Sequence, residues 1–507
     1  MDSTGSIWKA TAEMGDYPPL EGGARADVCV VGAGIAGLTT AYLLQKEGKS
    51  VILLEAMGVG SGETGRTTAH FFPPDERYHI LERKFGMARA AMIADSYRMA
   101  TGLVESIVQE EGIDCNFMRV DGYLVPQVHN QIQSIEREYV VTQRLGVEVE
   151  MLERVPGLVF DTGRCLRFAN NAQFHPLRYL DGLARAFVAR GGVIHCNSRA
   201  VGIDKLSKEE RTVRTLNGHV HAANVVLATH TPFNDTVVMH TKQAAYSTYV
   251  LGMRVPKDAI PPMLMWDDGD PYYYVRLAAI DEGPDDILIV GGQDHKTGQD
   301  EVPQHRWHEI EMWTRNRFPQ AGEVVYRWSG EVMEPADGVA FLGNNPMDGD
   351  NVYIITGDSG NGMTHCTAGA MLVRDKILGR VNEWEEIYAP SRKPIHGVGD
   401  FAAEQINVVE QYADWVRGGE VETPAHIAPG EGALIRHGVT LYAVHRPVEG
   451  ALQVLSAKCT HLGCAVHWNS AEKSWDCPCH GSRFSTTGEA LHGPAVKPLQ
   501  ILSLPRD

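Results

Sequence analysis

Residues 26–55 read ADVCVVGAGIAGLTTAYLLQKEGKSVILLE, and this stretch decides the fold of the larger part of the chain. Its apolar run up to Val31 is typical of a buried parallel strand. The run leads directly into Gly32-Ala33-Gly34-Ile35-Ala36-Gly37, a helical pattern follows, and a second apolar strand ends at Glu55. We therefore predict a complete strand, turn, helix and second strand.

The spacing of the three glycines predicts a dinucleotide-binding site. Gly32 permits the tight turn, Gly34 lets the backbone approach a pyrophosphate, and Gly37 lets helix and strand pack closely. The start of the helix offers N–H groups and the positive end of its dipole to phosphates. Glu55 is placed to accept hydrogen bonds from ribose hydroxyls, and its charge disfavours NADP.

The loop from Gly58 to Ala69 is rich in small residues and hydroxyls and contains one arginine. It resembles the loop after the second strand in the D-amino-acid oxidase, glycine oxidase and sarcosine oxidase superfamily of FAD enzymes. In that superfamily the loop wraps the pyrophosphate and the flavin edge. The alternative interpretation is a flexible glycine loop.

Two later stretches extend the resemblance to about residues 26–385. Ala223 to Thr229 is a predicted strand ending in Ala-Thr, and His230 stands where such flavoproteins usually have glycine. Val352 to Thr364 gives a strand, a glycine turn and the start of a helix, which resembles the C-terminal flavin segment. There a helix N-terminus faces the flavin and favours its negatively charged reduced form.

The resemblance implies FAD as cofactor. The residues predicted to bind it are Gly32, Ala33, Gly34, Ile35, Ala36, Gly37, Glu55, Ala56, Gly65, Arg66, Thr67, Thr68, Ala69, Val201, Ala228, Thr229, Gly357, Gly360, Asn361, Gly362, Met363 and Thr364.

Residues 75–150 are predicted to be largely helical, and about 241–343 change to alternating strands. The latter part resembles the substrate domain of amine-oxidising flavoproteins, whose antiparallel sheet forms a roof over the flavin. Candidate substrate or catalytic residues are Tyr246, Tyr249, Tyr274, Arg276 and His70. Arg276 could grip a carboxylate with two hydrogen bonds, although composition favours packing and a structural ion pair.

His70 and His365 lie beside flavin motifs, so either could act as a base. A covalent flavin link through His70 has no matching motif. Flavoproteins of this superfamily often take hydride from an uncharged amine without an obligatory base, so the sequence need not contain one.

Two cysteine and histidine pairs lie near the C-terminus, in Cys459-Thr460-His461 and Cys477-Pro478-Cys479-His480. A Rieske [2Fe–2S] centre holds one iron with two thiolates and the other with two imidazoles. We assign Cys459 and Cys477 to one iron, and His461 and His480 to the other. The alternative is a zinc ribbon, but its usual spacings do not include the short C-x-H arm.

The resemblance of these loops to the Rieske family is close. It implies a disulfide between Cys464 and Cys479, as in respiratory and photosynthetic Rieske proteins. Gly493-Pro494-Ala495 resembles the proline loop that covers the cluster. Short strands from residue 432 onward fit the small antiparallel barrel of a Rieske domain.

The composition limits the partners. A net charge of −18 over 507 residues disfavours nucleic acid and anionic membrane surfaces. No apolar run reaches the length of a membrane span, and residues 1–20 lack the apolar core of a secretory leader. The cysteines outside the cluster loops are scattered, as in a reducing compartment. We expect a cytoplasmic protein.

The predicted domains are an N-terminal extension (1–25), an FAD-dependent oxidoreductase (26–385), a connector (386–425) and a Rieske domain (426–507). The oxidoreductase combines an α/β Rossmann-type FAD domain with an inserted antiparallel α+β substrate domain, and the Rieske domain is small and all-β. A helix from Phe401 to Arg417 is predicted in the connector.

A flavin accepts two electrons and a Rieske cluster carries one, so their fusion predicts a two-electron to one-electron converter. The predicted enzyme oxidises an amine or amino acid at FAD and delivers electrons through the cluster to an external acceptor. Two alternatives remain: an oxygenase whose flavin is fed by the cluster from a donor protein, and a non-enzymatic electron carrier or redox sensor.

Overall fold

A computed structural model describes residues 5–74, 77–128, 132–234, 239–280, 283–299, 302–346, 348–393, 415 and 419–505. The predicted connector helix from Phe401 to Arg417 lies outside these residues, apart from Trp415. Within these ranges, no helix is both long and apolar enough to cross a bilayer.

The α-helices of the described residues are α1 (Ile7–Thr11), α2 (Ile35–Lys46), α3 (Tyr78–Phe85), α4 (Met87–Glu111), α5 (Gln133–Arg144), α6 (Pro176–Ala189), α7 (Gln304–Arg317), α8 (Gly362–Ile377) and α9 (Glu385–Tyr388).

The strands of the first two thirds of the chain are β1 (Gly22–Val31), β2 (Val51–Leu54), β3 (His70–Phe71), β4 (Met118–Val125), β5 (Val149–Leu152), β6 (Cys165–Gln173), β7 (Val193–His195), β8 (Ala200–Lys205), β9 (Arg211–Thr215), β10 (Gly218–Leu227), β11 (Gln243–Pro256), β12 (Leu264–Asp267), β13 (Tyr273–Ala278), β14 (Asp285–Lys296) and β15 (Val324–Pro335). The later strands are β16 (Phe341–Asn344), β17 (Val352–Thr356), β18 (Glu431–His437), β19 (Thr440–Arg446), β20 (Gln453–Ser456), β21 (His467–Asn469), β22 (Ser474–Asp476), β23 (Arg483–Phe484) and β24 (Ala490–His492).

The first sheet contains the predicted dinucleotide-binding unit at its centre. Its strand order is β16-β17-β10-β1-β2-β7, and β1 pairs in parallel with both β2 and β10. The turn at Asn217-Gly218 joins β9 to β10 as an antiparallel hairpin. Parallel strands end at one edge of a sheet, so the turns after β1, β10 and β17 meet there.

Helix α2 is buried along almost its whole length, from Ile35 to Leu44. It packs on the sheet and against α6 and α8. A helix that is apolar all round belongs inside a protein. This burial fixes the start of α2 against the ends of the central strands.

The second sheet is larger than predicted, with the order β15-β11-β14-β13-β12-β4-β6-β3 and β5 paired with β6. The prediction that 75–150 is largely helical is confirmed by α3, α4 and α5, although β4 and β5 also lie in this range. Strand β4 pairs in parallel with β12, more than a hundred residues later in the chain. Non-local pairing of this kind leaves no periodic signal in the sequence.

The C-terminal part forms two small antiparallel sheets, β18-β19-β20 and β21-β22-β23-β24. Trp475 and Phe484 fill the core between them, and both are fully buried. The loops that carry Cys459 and Cys477 close over one end of this core. The all-β architecture predicted for this part is confirmed.

Candidate functional site

The turn after β1 leaves no room for side chains. Gly32 has φ +103°, and a Cβ there would lie 2.3 Å from the carbonyl oxygen of Ala228. A Cβ at Gly37 would lie 1.9 Å from the carbonyl oxygen of Gly32. The backbone therefore forms a cradle that only glycine can build at these two positions.

The start of α2 points into a long cavity lined by Gly34, Ile35 and Ala36. Gly34 occupies the N-cap position and offers no side-chain cap. The N–H of Ile35 donates to Oγ1 of Thr64, from the opposite loop, over 3.1 Å. An uncapped helix start in a glycine cradle fits a pyrophosphate.

Glu55 lies at the end of β2, where a dinucleotide ribose is expected. Its two carboxylate oxygens accept hydrogen bonds from Ala33 N at 2.8 Å and from Met57 N at 2.9 Å. Burial raises the pKa of this carboxyl group despite those bonds. Each oxygen keeps a lone pair for a hydroxyl donor, so Glu55 fits a ribose.

The structure brings most of the predicted FAD residues to this one cavity. Those that line it are Gly32, Gly34, Ile35, Ala36, Glu55, Ala56, Arg66, Thr67, Thr68, Ala228, Thr229, Gly357, Gly360, Gly362 and Met363. Two separate helix starts, those of α2 and α8, therefore face the same space. The chemistry of this lining fits FAD from its ribose to its flavin.

The remaining predicted FAD residues do not line the cavity. They are Ala33, Gly37, Gly65, Ala69, Val201, Asn361 and Thr364. Gly65 instead packs on the backbone, since a Cβ there would lie 2.4 Å from the oxygen of Gly60. Oδ1 of Asn361 accepts a hydrogen bond from the hydroxyl of Tyr97 at 3.1 Å. These residues shape the site from behind.

The predicted cluster ligands converge between two loops of the C-terminal domain. Cys459 and Cys477 are buried, with their sulfur atoms within hydrogen-bonding distance of each other. The rings of His461 and His480 lie 5.0 Å apart, centroid to centroid. Burial, with a contribution from His240, lowers the pKa of each imidazole to about 3, which keeps the neutral form that ligates iron. Two thiols and two imidazoles fit a Rieske centre.

Cys464 and Cys479 form the predicted disulfide between the same two loops. Ser482 is fully buried beside them and hydrogen-bonds the sulfur of Cys459. Its Oγ also accepts a hydrogen bond from Ala495 N at 3.1 Å, which joins the proline loop to the cluster loops.

The C-terminal domain forms one wall of the dinucleotide cavity. Leu491, His492, Gly493 and Val496 all line it. Nη2 of Arg199 donates to the oxygen of Ala490 at 2.8 Å. The sequence contains no signal for this arrangement, because it depends on how two domains dock.

Polar contacts hold the two domains together near the cavity. Arg66 pairs with the buried carboxylate of Glu472 at 2.8 Å, and Ser329 N donates to the same carboxylate at 3.1 Å. Nε2 of His492 lies 3.3 Å from Oε1 of Glu63. Removing Glu472 would leave the partly buried cation of Arg66 without its partner, and removing Glu63 would do the same to the donor His492.

His240 brings the flavin domain into contact with the cluster ligands. Its buried ring lies 4.7 Å from the ring of His461 and 5.3 Å from that of His480. Sequence reasoning missed His240, which stands in no recognisable motif. The histidine side of the cluster site therefore faces the flavin domain of the same chain.

The family model of FAD-dependent oxidoreductases (DAO) matches residues 27–376. The chain belongs to this family. A model of the Rieske [2Fe-2S] domain matches residues 419–503. The cofactors of this oxidoreductase are therefore FAD and a Rieske cluster. The alternative of a zinc ribbon is excluded.

Relatives share one or both parts of this architecture. The Rieske 2Fe-2S iron-sulfur protein YhfW of Bacillus subtilis (strain 168) is 30% identical over 98% of this chain and 97% of its own length. Gamma-glutamylputrescine oxidoreductase of Escherichia coli (strain K12) is 25% identical over 76% of this chain and 91% of its own. The crystal structure of glycine oxidase from Geobacillus kaustophilus has a TM-score of 0.60 at 18% identity, covering 73% of this chain and 99% of that one. The likeness to glycine oxidase shows that the two chains share a fold.

Three of the candidate catalytic residues of this oxidoreductase lie away from the cavity lining. Tyr249 is fully buried in another core, and its hydroxyl lies 3.0 Å from His295 Nε2. Arg276 is buried, and its Nη1 donates to the backbone oxygens of Thr68 and Ala69. Tyr246 does not line the cavity either. Arg276 is absent from the cavity lining, so its contacts fit the packing role that composition favours better than a grip on a carboxylate.

His70 and Tyr274 do line the cavity, together with His365. Burial, followed by the charge of Arg276, lowers the pKa of His70 to about 3. Burial likewise lowers the pKa of His365 to about 4, and its ring nitrogens contact Asp358 O at 2.8 Å and the hydroxyl of Tyr97 at 3.1 Å. Both histidines are neutral near pH 7.

Proposed function

We propose that this FAD-dependent oxidoreductase oxidises an amine or amino acid in the cavity and passes the electrons singly, through its own Rieske cluster, to an external acceptor. In this scheme the substrate is oxidised and the acceptor is reduced, with both cofactors inside one chain. The predicted ligands Cys459, Cys477, His461 and His480 hold the cluster.

One contact carries the proposal. Glu331 lines the dinucleotide cavity, and a Cβ at Gly481 would lie 2.9 Å from its Oε1. Gly481 directly follows the predicted ligand His480 in the chain. A single side chain therefore separates the FAD cavity from a cluster loop, which supports electron transfer within one molecule.

The bound groups supply the redox chemistry, since FAD accepts two electrons as a hydride and the cluster carries one electron at a time. For an amine R–CH2–NH2, loss of two electrons and two protons gives the imine R–CH=NH. Water then converts the imine to an aldehyde and ammonia. The same loss of two electrons and two protons, followed by the same hydrolysis, would convert an amino acid to a 2-oxo acid and ammonia.

The chain's own residues bind and orient the cofactor and the substrate, and they shield the cavity from water. The starts of α2 and α8 place positive dipole ends along the cavity, at its predicted pyrophosphate and flavin parts. The Rieske domain closes one side through Leu491 to Gly493, which restricts water there. His70 and His365 are neutral, so they do not oppose binding of a protonated amine.

An anaerobic titration of the full chain with a panel of amines and amino acids tests the proposal. Flavin absorbance and the EPR signal of the reduced cluster are followed together. We expect one class of compound to bleach the flavin, with the cluster signal appearing afterwards. A Cys459→Ser variant that keeps FAD should show bleaching without that signal.

The opposite order of events would contradict the proposal. If no compound bleaches the flavin, while a chemical reductant reduces the cluster first and the flavin second, electrons enter through the Rieske domain. Oxygen consumption that depends on such a reductant would then favour the oxygenase, and its absence would favour an electron carrier.

A further inference from the structure

Four rings form an aromatic patch on the cavity wall, made of His70, Phe72, Tyr272 and Tyr274. The ring of His70 lies 5.6 Å from those of Phe72 and Tyr274, and Tyr272 lies 5.6 Å from Tyr274. Tyr274 belongs to the antiparallel sheet, which is the predicted roof of the flavin site. The patch therefore lies where a substrate is expected.

A carboxylate stands behind the aromatic patch. The hydroxyls of Thr248 and Tyr274, both on the cavity wall, lie 3.0 Å apart. Asp294 hydrogen-bonds Thr248 and Tyr272 from the layer behind, and its burial raises the pKa of its carboxyl group to about 6. At neutral pH a negative charge thus lies behind Tyr272 and Thr248, while the cation of Arg276 lies near His70 and is bonded to backbone carbonyls.

The described cavity wall presents two guanidinium groups, and each already has a bonding partner in the Rieske domain. Its guanidinium groups are those of Arg66, paired with Glu472, and Arg199, bonded to the oxygen of Ala490. No lysine of the described chain lines the cavity.

The histidines of the cavity wall do not supply a free positive charge for a substrate carboxylate. His70 is neutral, as shown by its lowered pKa. His230 also lines the cavity but faces the carboxylates of Glu331, Asp358 and Glu63. A substrate carboxylate would therefore have to compete with these acids, and with Glu472, for a cation, which is unfavourable.

We infer that the aromatic patch selects an amine that lacks a carboxylate on the carbon bearing the nitrogen, and rejects α-amino acids. This inference rests on the proposed function and narrows its substrate class. Aromatic faces attract an ammonium group, and the negative charge of Asp294 adds to that attraction. The same two features repel a carboxylate.

Matched pairs of compounds test the inference on the FAD-loaded full chain. The pairs are phenethylamine with D- and L-phenylalanine, and isobutylamine with D- and L-valine. Binding is measured anaerobically from the perturbation of the oxidised flavin spectrum, and reduction from bleaching. We expect at least one amine to bind ten times or more tighter than both enantiomers of its amino acid.

Binding and bleaching separate the two proposals. If an amine binds preferentially but bleaches nothing, the selectivity stands and the proposed oxidation fails. If either amino acid binds as tightly as its amine, or if no amine perturbs the spectrum at all, the inference is overturned.

An Asp294→Asn variant gives an independent test, because the amide keeps the size of the side chain. We expect amine binding to weaken about fivefold or more and the preference over the amino acid to shrink. Asp285→Asn, at the distant start of the same strand, is the matched control and should change neither. Equal FAD content in both variants excludes a folding defect, and unchanged selectivity in Asp294→Asn would count against the role of Asp294.

Discussion

Nε2 of His230 lies 3.5 Å from Oε1 of Glu331, in the layer between the FAD cavity and the Rieske domain. His230 has φ +66°, a left-handed conformation that costs a non-glycine residue about 1–2 kcal/mol. The buried carboxylate of Glu331 lies next to this strained residue.

The His230–Glu331 pair predicts a pH-dependent stability. Burial opposes the charge of His230, but Glu331, with Asp358 and Glu63 nearby, outweighs it and raises the pKa to about 9. Since this pKa is raised above the ordinary histidine value of 6.5, the stabilisation is complete below pH 6.5 and is lost as pH rises through about 9. We expect the loss to reach at most about 3 kcal/mol.

Urea unfolding of the FAD-loaded protein from pH 6 to pH 10 measures the slope of the free energy of unfolding against pH. His230→Gln should flatten it, whereas His437→Gln, at an exposed position in the Rieske domain, should leave it unchanged. An equal slope in wild type and His230→Gln would show that the pair does not stabilise the fold.

Gly481→Ala should disturb the docking of the two domains. Gly481 has φ +76°, and its Cβ would lie 2.6 Å from Cβ of Ala245 and 2.9 Å from Oε1 of Glu331. We expect a loss of about 2–4 kcal/mol from strain and overlap together, and slower flavin-to-cluster electron transfer in rapid-mixing experiments.

The matched control is Gly438→Ala, because Gly438 has φ +59° with nothing within 4 Å of its Cβ position. Gly438→Ala therefore introduces backbone strain but no steric overlap with another residue. Equal effects of the two variants would mean that the interdomain contact at Gly481 is unimportant.

Glu472→Gln should accelerate the release of FAD. Glu472 accepts hydrogen bonds from Arg66 and Ser329, and these contacts hold the Rieske domain against the cavity. Loss of this charge should cost on the order of 2 kcal/mol. Flavin fluorescence after dilution reports the release rate. Glu110→Gln, which removes the exposed partner of Lys46, should not change that rate.

Gly37→Ala should abolish FAD binding, because the new Cβ would lie 1.9 Å from the oxygen of Gly32. The FAD content of the purified protein checks this directly. Gly102→Ala, in helix α4 with nothing within 4 Å, is the control and should stabilise the protein by about 0.5–1 kcal/mol. Normal FAD content in Gly37→Ala would contradict the assigned role of the turn.

Local motifs made much of this molecule predictable. The unit from Val28 to Glu55 carries strand, turn and helix signals within thirty residues, and the structure forms it as predicted. The cluster loops at Cys459 and Cys477 are equally local, since each brings a thiol and an imidazole within four residues. Their disulfide, between Cys464 and Cys479, is also present.

Contacts between distant residues could not be predicted. Strand β4 joins β12 across more than a hundred residues, and the sequence has no marker for that pairing. Arg276 binds backbone carbonyls whose positions depend on the whole sheet. His240 reaches both cluster histidines only because two domains dock. The sequence does not encode such contacts in any short pattern.

The concentration dependence of cluster reduction tests the central claim most directly. The oxidised full chain is mixed anaerobically with a reducing amine at protein concentrations spanning a hundredfold, and the cluster signal is followed after the flavin bleaches. Because Glu331 connects the cavity to the loop of His480 within one chain, we predict a rate that does not depend on protein concentration. A rate proportional to protein concentration, or a cluster that stays oxidised beside a bleached flavin, would contradict internal electron transfer.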